Sequence, residues 1–252
     1  MNTIANKNSM FKFFTVLILL ISLSACSTLK PSDDPSRQTS KDPYRGYNRA
    51  MHSFNTTTDK ALIRPIARGY KYTVPAGVRK SVSLFFSNLG EPLNAVNNLL
   101  QGDIHNALGS TYRFVVNSTL GGLGLFDVAG HYGVKRDQED FGQTLAAWGV
   151  NPGPYIVLPF LGPSNLRDGF GRIIDTAAYY PGDVITDSGG GNAAYTALDL
   201  LSSRTNFLNF DKVLESQPDP YLFLKIGYEN NRLKSIYDGD PPVDENDDID
   251  DF

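Results

Sequence analysis

A group of carboxamide side chains stands out among the residues that could do chemistry. They share one face of a predicted helix, opposite a stripe of Leu and Val: Asn94, Asn97, Asn98 and Gln101. Amides donate and accept hydrogen bonds without carrying a charge. Two interpretations are open: the amides decorate a solvated surface, or they line a wet, uncharged passage. Arg113 and Asn117, four residues apart on the next predicted helix, have the chemistry to extend such a lining.

The single cysteine lies where acylation chemistry is expected. Residues 1–12 are basic without an acid, residues 13–23 are an apolar run too short to span a bilayer, and Leu23-Ser24-Ala25-Cys26 follows. This last sequence resembles the bacterial lipobox, in which the thiol receives diacylglycerol and the new α-amine is acylated, as by palmitate. Two or three acyl chains would anchor the protein durably. Ser27, rather than Asp, is typical of sorting to the outer membrane. An ordinary signal peptide with a chance cysteine is the alternative.

Motifs for catalysis are absent from the sequence. There is no G-x-S-x-G elbow of serine hydrolases and no H-E-x-x-H zinc motif, and His52, His105 and His131 are far apart. The Gly-rich sequence Gly121-Gly122-Leu123-Gly124 follows a predicted helix rather than a strand, so it does not fit a dinucleotide site. The sequence therefore predicts neither an enzyme nor a cofactor or metal site.

Composition divides the 252 residues into segments of different character. Residues 1–25 are the predicted lipoprotein signal peptide, and residues 26–41, rich in Ser, Pro, Asp and Lys, predict a lipidated flexible tether. Residues 42–237 are the predicted helical domain. Residues 238–252 hold eight acids and no base, which predicts a disordered acidic tail. Without leader and tail the net charge is near +2, so nothing in the charge favours nucleic acid as a partner.

Helical periodicity dominates the predicted domain. The segment 77–89 has an amphipathic period, and Gly90 is expected to end it before Pro92 begins a separate helix. Asp103 is expected to be the N-cap of a helix over 104–120. Further helices are predicted over three segments: 49–62, 192–203 and 218–237.

The middle of the chain interrupts this pattern. Residues 149–164 contain four prolines and three glycines, which exclude a regular helix and predict an extended loop. Its apolar side chains need cover from protein or from lipid. Charged residues make up 20% of the chain, which argues against a multi-span helical membrane protein. The expected fold class is mainly α with irregular loops rich in Pro and Gly.

A series of short motifs, in one order, resembles the MlaA (VacJ) lipoprotein family. The motifs are 42–55 (DPYRGYNRAMHSFN), Arg64-Pro65, Glu91-Pro92, Asn97 with Leu100-Gln101-Gly102, Arg113-Phe114 with Asn117, 126–130 (FDVAG), 141–145 (FGQTL), 153–159 (GPYIVLP), Leu166-Arg167-Asp168 and Asp219-Pro220-Tyr221. The resemblance covers about 42–237. It departs at the acidic tail and at the Ser- and Gly-rich residues 188–193.

The resemblance implies a ring-like bundle of amphipathic helices around a central channel, lipid-anchored at the periplasmic side of the outer membrane. Such proteins look like removers of misplaced phospholipid, which they take from the outer leaflet and pass to a periplasmic lipid-binding carrier (MlaC-like). They associate with trimeric porins. A polar wall for the head group would avoid burying a charged phosphate in hydrocarbon. A lipid-anchored scaffold without transport activity and a lipid-modifying enzyme are the alternatives.

The resemblance also suggests where an opening is controlled. The candidate gating segment contains Asn48, Arg49, Phe54 and Asn55. Because glycine adopts conformations closed to other residues, Gly121, Gly122 and Gly124 are candidates for a mobile edge.

Overall fold

Helices dominate the residues that the computed structural model describes, 42–182 and 189–242. In chain order the elements are α1 (Arg45–Thr58), α2 (Arg64–Thr73), α3 (Ala76–Gln101), α4 (Ile104–Thr119), α5 (Val128–His131), α6 (Phe141–Ala147), β1 (Tyr155–Leu158), β2 (Gly162–Asn165), α7 (Leu166–Ala178), α8 (Gly189–Asn206), α9 (Asp211–Glu215) and α10 (Pro220–Ile236). The predicted signal peptide, Cys26, the tether and the tail beyond 242 lie outside the described residues.

The helix α3 runs without interruption through Pro92, so the prediction of two helices separated at Gly90 is wrong. An interior proline removes one backbone hydrogen bond and costs roughly 3 kcal/mol. Tertiary contacts at the same turn oppose that cost. Arg113 Nε lies 3.0 Å from the buried carboxylate of Glu91, and Arg136 Nη2 donates to the carbonyl of Ser87 at 2.9 Å.

The prediction for α4 is confirmed. The Asp103 side chain accepts a hydrogen bond from the backbone N–H of Asn106 at 2.9 Å, as an N-cap does. Gly102 ends α3 with a φ of 85°, which favours glycine. Asn88 Nδ2 donates to Ser118 Oγ at 2.8 Å, near the far end of both helices. The two helices therefore form an antiparallel hairpin.

The three further helix predictions are confirmed with longer or shifted bounds. The helix predicted over 49–62 is α1, and a π-helical turn, Asp59–Ile63, joins it to α2. The helix predicted over 192–203 is α8. The helix predicted over 218–237 is α10, with Asp219 as its N-cap and Pro220 in its first turn.

The middle of the chain forms a β-hairpin rather than an irregular loop. Strands β1 and β2 pair antiparallel, with Tyr155 opposite Asn165 and Leu158 opposite Gly162. Pro163 is tolerated because β2 is an edge strand of a two-stranded sheet. Prolines exclude a helix here but not a short edge strand, which is why the sequence predicted only an extended segment. Tyr155 and Val157 are buried against Tyr221 in a small apolar core.

No described helix combines the length and the apolar character that crossing a bilayer requires.

Candidate functional site

The distribution of polarity is inverted relative to that of a water-soluble protein. The largest side chains that are fully buried in the described part of the chain are polar: Glu91, Asn48, Asn97, Thr144, Ser110 and Ser164. Many large apolar side chains are exposed instead, including Leu99 at 58% and Leu108 at 65% on the α3–α4 hairpin. A protein in water places such residues inside. Exposed apolar faces around a polar interior are expected where hydrocarbon surrounds the protein.

The amide face of α3 lies inside the protein. Asn97 Nδ2 donates to Asp175 Oδ1 of α7 at 3.2 Å, and Asn97 Oδ1 accepts from the Thr144 hydroxyl of α6 at 2.9 Å. Asn94 Oδ1 accepts from the backbone N–H of Glu139 at 3.3 Å, and Asn98 Nδ2 donates to the carbonyl of Asn94 at 3.1 Å. The interpretation as solvated decoration is therefore wrong for these three asparagines.

The other predicted lining residues belong to the same polar interior. Arg113 contacts Glu91 and also donates to Asp127 Oδ1 at 3.0 Å. Asn117 Nδ2 donates to that same oxygen at 3.1 Å. Burial acts to raise the pKa of the Asp127 carboxyl, but the backbone N–H of Gly130 and the contacts with Asn117 and Arg113 lower it overall. In this conformation the amide and guanidinium groups bond to protein atoms, and their role as a channel lining stays a prediction.

Gln101 and Glu139 form a polar contact at the end of α3. Gln101 Nε2 donates to Glu139 Oε2 at 2.5 Å. Burial raises the pKa of the Glu139 carboxyl to about 8, and the nearby carboxylates of Asp137 and Asp238 act in the same direction. The hydrogen bond from Gln101 opposes this rise.

The predicted mobile edge after α4 is tightly packed at two glycines. A Cβ on Gly121 would overlap the carbonyl oxygens of Phe126 and Asn117, and one on Gly124 would overlap the Asn88 side chain. Gly124 has a φ of 91° and Gly122 a φ of 60°. The backbone path here therefore depends on glycine, whereas its mobility stays a prediction.

Two asparagines of the predicted gating segment hold the free edge of the β-hairpin. Asn48 Nδ2 donates to the carbonyl of Tyr155 at 3.1 Å, and Asn48 Oδ1 accepts from the N–H of Val157 at 2.8 Å. Asn55 lies two turns further along the same face of α1 and repeats this pattern. Its Nδ2 donates to the carbonyl of Leu158 at 2.9 Å, and its Oδ1 accepts from the N–H of Phe160 at 2.8 Å. Each amide therefore supplies the hydrogen-bond partners that a neighbouring strand would otherwise give to an edge strand. We call Asn48 and Asn55 the asparagine latch.

The two other gating candidates support the same contact. The rings of Phe54 and Phe160 pack edge to face with centroids 5.2 Å apart. Arg49 pairs with Asp219, the N-cap of α10, and its guanidinium lies 4.7 Å from the centre of the Tyr221 ring. The structure therefore brings all four residues against the hairpin or α10, while their gating role stays a prediction.

An amphipathic groove of about 1090 Å³ lies on the other side of the hairpin. One wall consists of hairpin residues, among them Ile156, Leu158 and Leu161, and the facing wall is one side of α7, among them Leu166, Phe170 and Ile173. The groove exceeds the roughly 300–1,000 Å³ of pockets for drug-sized ligands. Leu158 belongs to both features, because its carbonyl accepts from Asn55 of the latch and the residue lines the groove.

A few polar groups border the amphipathic groove. Arg172 is exposed and has no ion-pair partner among the described residues. The Tyr180 hydroxyl is hydrogen-bonded to the Thr196 hydroxyl, and it also lies 3.0 Å from the carbonyl oxygen of Asn192, to which it can donate. Burial raises the pKa of the Asp199 carboxyl. An exposed guanidinium beside long apolar walls suits an amphiphile that has a negatively charged head.

The groove itself was not predicted from the sequence. A signal was present, because Leu166, Phe170 and Ile173 recur at helical spacing and leave an apolar stripe on α7. The stripe alone does not tell a core face from a ligand-binding face. The hairpin wall lies within the apolar residues 149–164, which were expected to need cover, but its contact with Asn48, more than 100 residues away, has no signal in local sequence.

Comparisons with known proteins agree on one family. The model of the family described as MlaA lipoprotein matches residues 40–235. An uncharacterised protein of Rickettsia bellii is 38% identical over 77% of this chain and 76% of its own length. The intermembrane phospholipid transport system lipoprotein MlaA of Escherichia coli K12 is 35% identical over 78% of this chain and 79% of its own length.

The fold has a solved counterpart. A structure from work on the maintenance of bacterial outer-membrane lipid asymmetry aligns with a TM-score of 0.69 at 33% identity, covering 79% of this chain and all of the other. The prediction of a mainly α fold is confirmed, and the predicted ring-like arrangement is consistent with this likeness. On the match to its model and on these relatives, the chain belongs to the MlaA lipoprotein family.

Proposed function

We propose that this protein removes mislocalised phospholipid from the outer leaflet of the outer membrane and so maintains its lipid asymmetry. The observation that carries the proposal is the inverted polarity: among the described residues many large apolar side chains are exposed, and the largest fully buried side chains are polar. A relative at 35% identity is named for intermembrane phospholipid transport. Lipid can surround such a protein while polar groups and water accompany a head group through it.

The groove supports a path for an intact lipid. Its apolar walls suit acyl chains, and the exposed guanidinium of Arg172 suits a phosphate. The asparagine latch holds the hairpin wall, so release of Asn55 would widen the groove. No covalent step is required, because the lipid only changes its place.

The surroundings of the transport step follow from the same proposal. Acyl chains on Cys26 anchor the protein to the outer membrane from the periplasmic side, and the folded part sits within one bilayer half. A periplasmic lipid-binding carrier of the MlaC type receives the lipid. A trimeric porin is the proposed neighbour in the membrane.

Reconstitution with labelled phospholipid tests the proposal. The full-length lipoprotein in vesicles, supplied with an acceptor lipid-binding protein outside, should release intact labelled lipid. Cleaved lipid would indicate an enzyme, and no release would indicate a scaffold. Either result overturns transport as the function.

Two neighbouring alanines provide a matched pair for the groove. Ala177 lines the groove and Ala178, also exposed, does not. Ala177→Trp should narrow the groove and lower the rate of lipid release by about tenfold or more, equivalent to ~1.4 kcal/mol in the barrier. Ala178→Trp should leave the rate near that of the unmodified protein. Equal rates for the two variants would remove the groove from the transport path.

A further inference from the structure

A separate pocket of about 580 Å³ lies between α4 and the turn that follows α5. Its polar lining groups are the side chains of His105, Asn106, Tyr112 and Lys135. It shares no residue with the amphipathic groove. Neither the family comparison nor the transport path accounts for this cluster of hydrogen-bond donors.

The lining of the pocket carries positive charge at Lys135 and no negative charge. Within the described ranges, neither His105 nor Lys135 has an ion-pair partner, and none of the lining residues is acidic. The carboxylate of Asp103, two positions before His105, lies beside the pocket and keeps its charge, but its two oxygens are occupied by the backbone N–H and the amide of the lining residue Asn106 at 2.9 and 3.0 Å. An anion with several acceptor oxygens matches this donor set.

Hydrogen bonds within the protein hold the wall of the pocket in place. The carbonyl of Val134 accepts from Nη1 of the buried Arg113 at 2.6 Å, and its N–H donates to the carbonyl of Ala129 at 3.1 Å. Gly133 has a φ of 86°, which turns the chain sharply at this point. The backbone that carries Lys135 is therefore held in place before any ligand arrives.

An apolar stripe leads directly out of this pocket. Ile104, Leu108 and Val115 follow one another along α4 at spacings of about one and two turns, and all three are exposed. Leu108 belongs to both the stripe and the pocket. A small water-soluble anion would have no use for this stripe, whereas the acyl chains of a lipid would cover it.

We propose that the pocket binds the phosphate of a membrane phospholipid whose acyl chains lie along the exposed face of α4. This lipid stays at the outer surface of the protein and is not the transported one. Its phosphate marks the level of the head groups, so the site fixes the depth and rotation of the α3–α4 hairpin in the bilayer. A phosphate held by Lys135 and His105 and a chain on Leu108 are both needed for binding.

Native mass spectrometry of the full-length protein with dioleoyl phosphatidylglycerol tests the site. Lys135→Glu should remove one bound lipid and weaken its binding by about tenfold or more, whereas the matched exposed variant Lys80→Glu should keep it. Leu108→Asn should also weaken lipid binding. All three positions are exposed, so unchanged thermal unfolding is expected and serves as the check on folding.

Two further probes separate the possible ligands. Dioleoylglycerol, which has the acyl chains without the phosphate, should not occupy the site, and inorganic phosphate should not displace the lipid. Full displacement by inorganic phosphate would make this a site for free anions, and equal occupancy by dioleoylglycerol would remove phosphate recognition; either overturns the proposal. Equal lipid retention by Lys135→Glu and Lys80→Glu would overturn it as well. Lipid release through the groove is measured separately, so each proposal can fail without the other.

Discussion

The asparagine latch makes a prediction whose size follows from the structure. Asn48 is 0% exposed. It donates to the carbonyl of Tyr155 and accepts from the N–H of Val157, two buried residues of β1. Asn48→Leu keeps the number and branching of the side-chain heavy atoms but leaves both backbone groups without a partner. Each buried group that loses its partner costs about 1–3 kcal/mol, so the free energy of unfolding should fall by about 2–6 kcal/mol.

Asn55 is the matched control on the same helix. Its contacts to Leu158 and Phe160 have the same geometry but lie at the partly exposed end of the hairpin, where water can replace the lost amide. The net value of a hydrogen bond in that situation is about 0.5–1.5 kcal/mol. Asn55→Leu should therefore cost about 1–3 kcal/mol for its two bonds. It should free the tip of the hairpin and change the rate of lipid release.

Two measurements separate these outcomes. Thermal unfolding of the full-length protein in detergent reports the loss of global stability. Amide hydrogen exchange reports the local one: the N–H of Val157 should lose protection in Asn48→Leu, and that of Phe160 in Asn55→Leu. Unchanged exchange at Val157 together with unchanged unfolding would show that the amide does not hold the strand, and the reasoning about the latch would be refuted.

Three further predictions concern the polar interior and its packing. Because the folded state raises the pKa of Glu139 to about 8 from an ordinary 4.5, stability should fall as pH rises through that window; Glu139→Gln should reduce this slope in unfolding measured from pH 4 to 9. Arg113→Met removes the closer of the two cations that pair with the buried carboxylate of Glu91, leaving Arg136 Nε at 3.4 Å, and should cost about 3–5 kcal/mol in denaturant unfolding; a loss below about 1 kcal/mol would contradict the role of that pair. Gly171→Ala places a Cβ against the backbone of Gly142, where α6 and α7 cross, and should lower stability by about 1–3 kcal/mol; unaltered thermal unfolding would argue against the close crossing.

Local chemistry in the sequence was sufficient for much of the secondary structure. Asp103 begins α4 because its side chain reaches the backbone N–H of Asn106, and Gly102 ends α3 because it can adopt a positive φ. Asp219 and Pro220 begin α10 for similar reasons. These signals act within four residues, so no knowledge of the rest of the fold is required to detect them.

Pro92 shows where local chemistry was overruled. The preference to break a helix at this position is a matter of a few kcal/mol, and the contacts of Glu91 with Arg113 and Arg136 are of comparable size. Those contacts come from positions 22 and 45 residues away from Glu91. A pattern confined to one helix therefore could not reveal that α3 continues.

Sequence by itself determined that these helices are amphipathic and that Asn94, Asn97 and Asn98 share a face. Only the tertiary structure decided that this face points inward, because periodicity separates two faces without saying which solvent surrounds the protein. Likewise, Asn48 and Asn55 are visible as a pair two turns apart, but their partners lie more than 100 residues away on β1 and in the turn after it. Bringing α1, the hairpin and α7 together creates the groove, and such long-range placement depends on the packing of the entire fold.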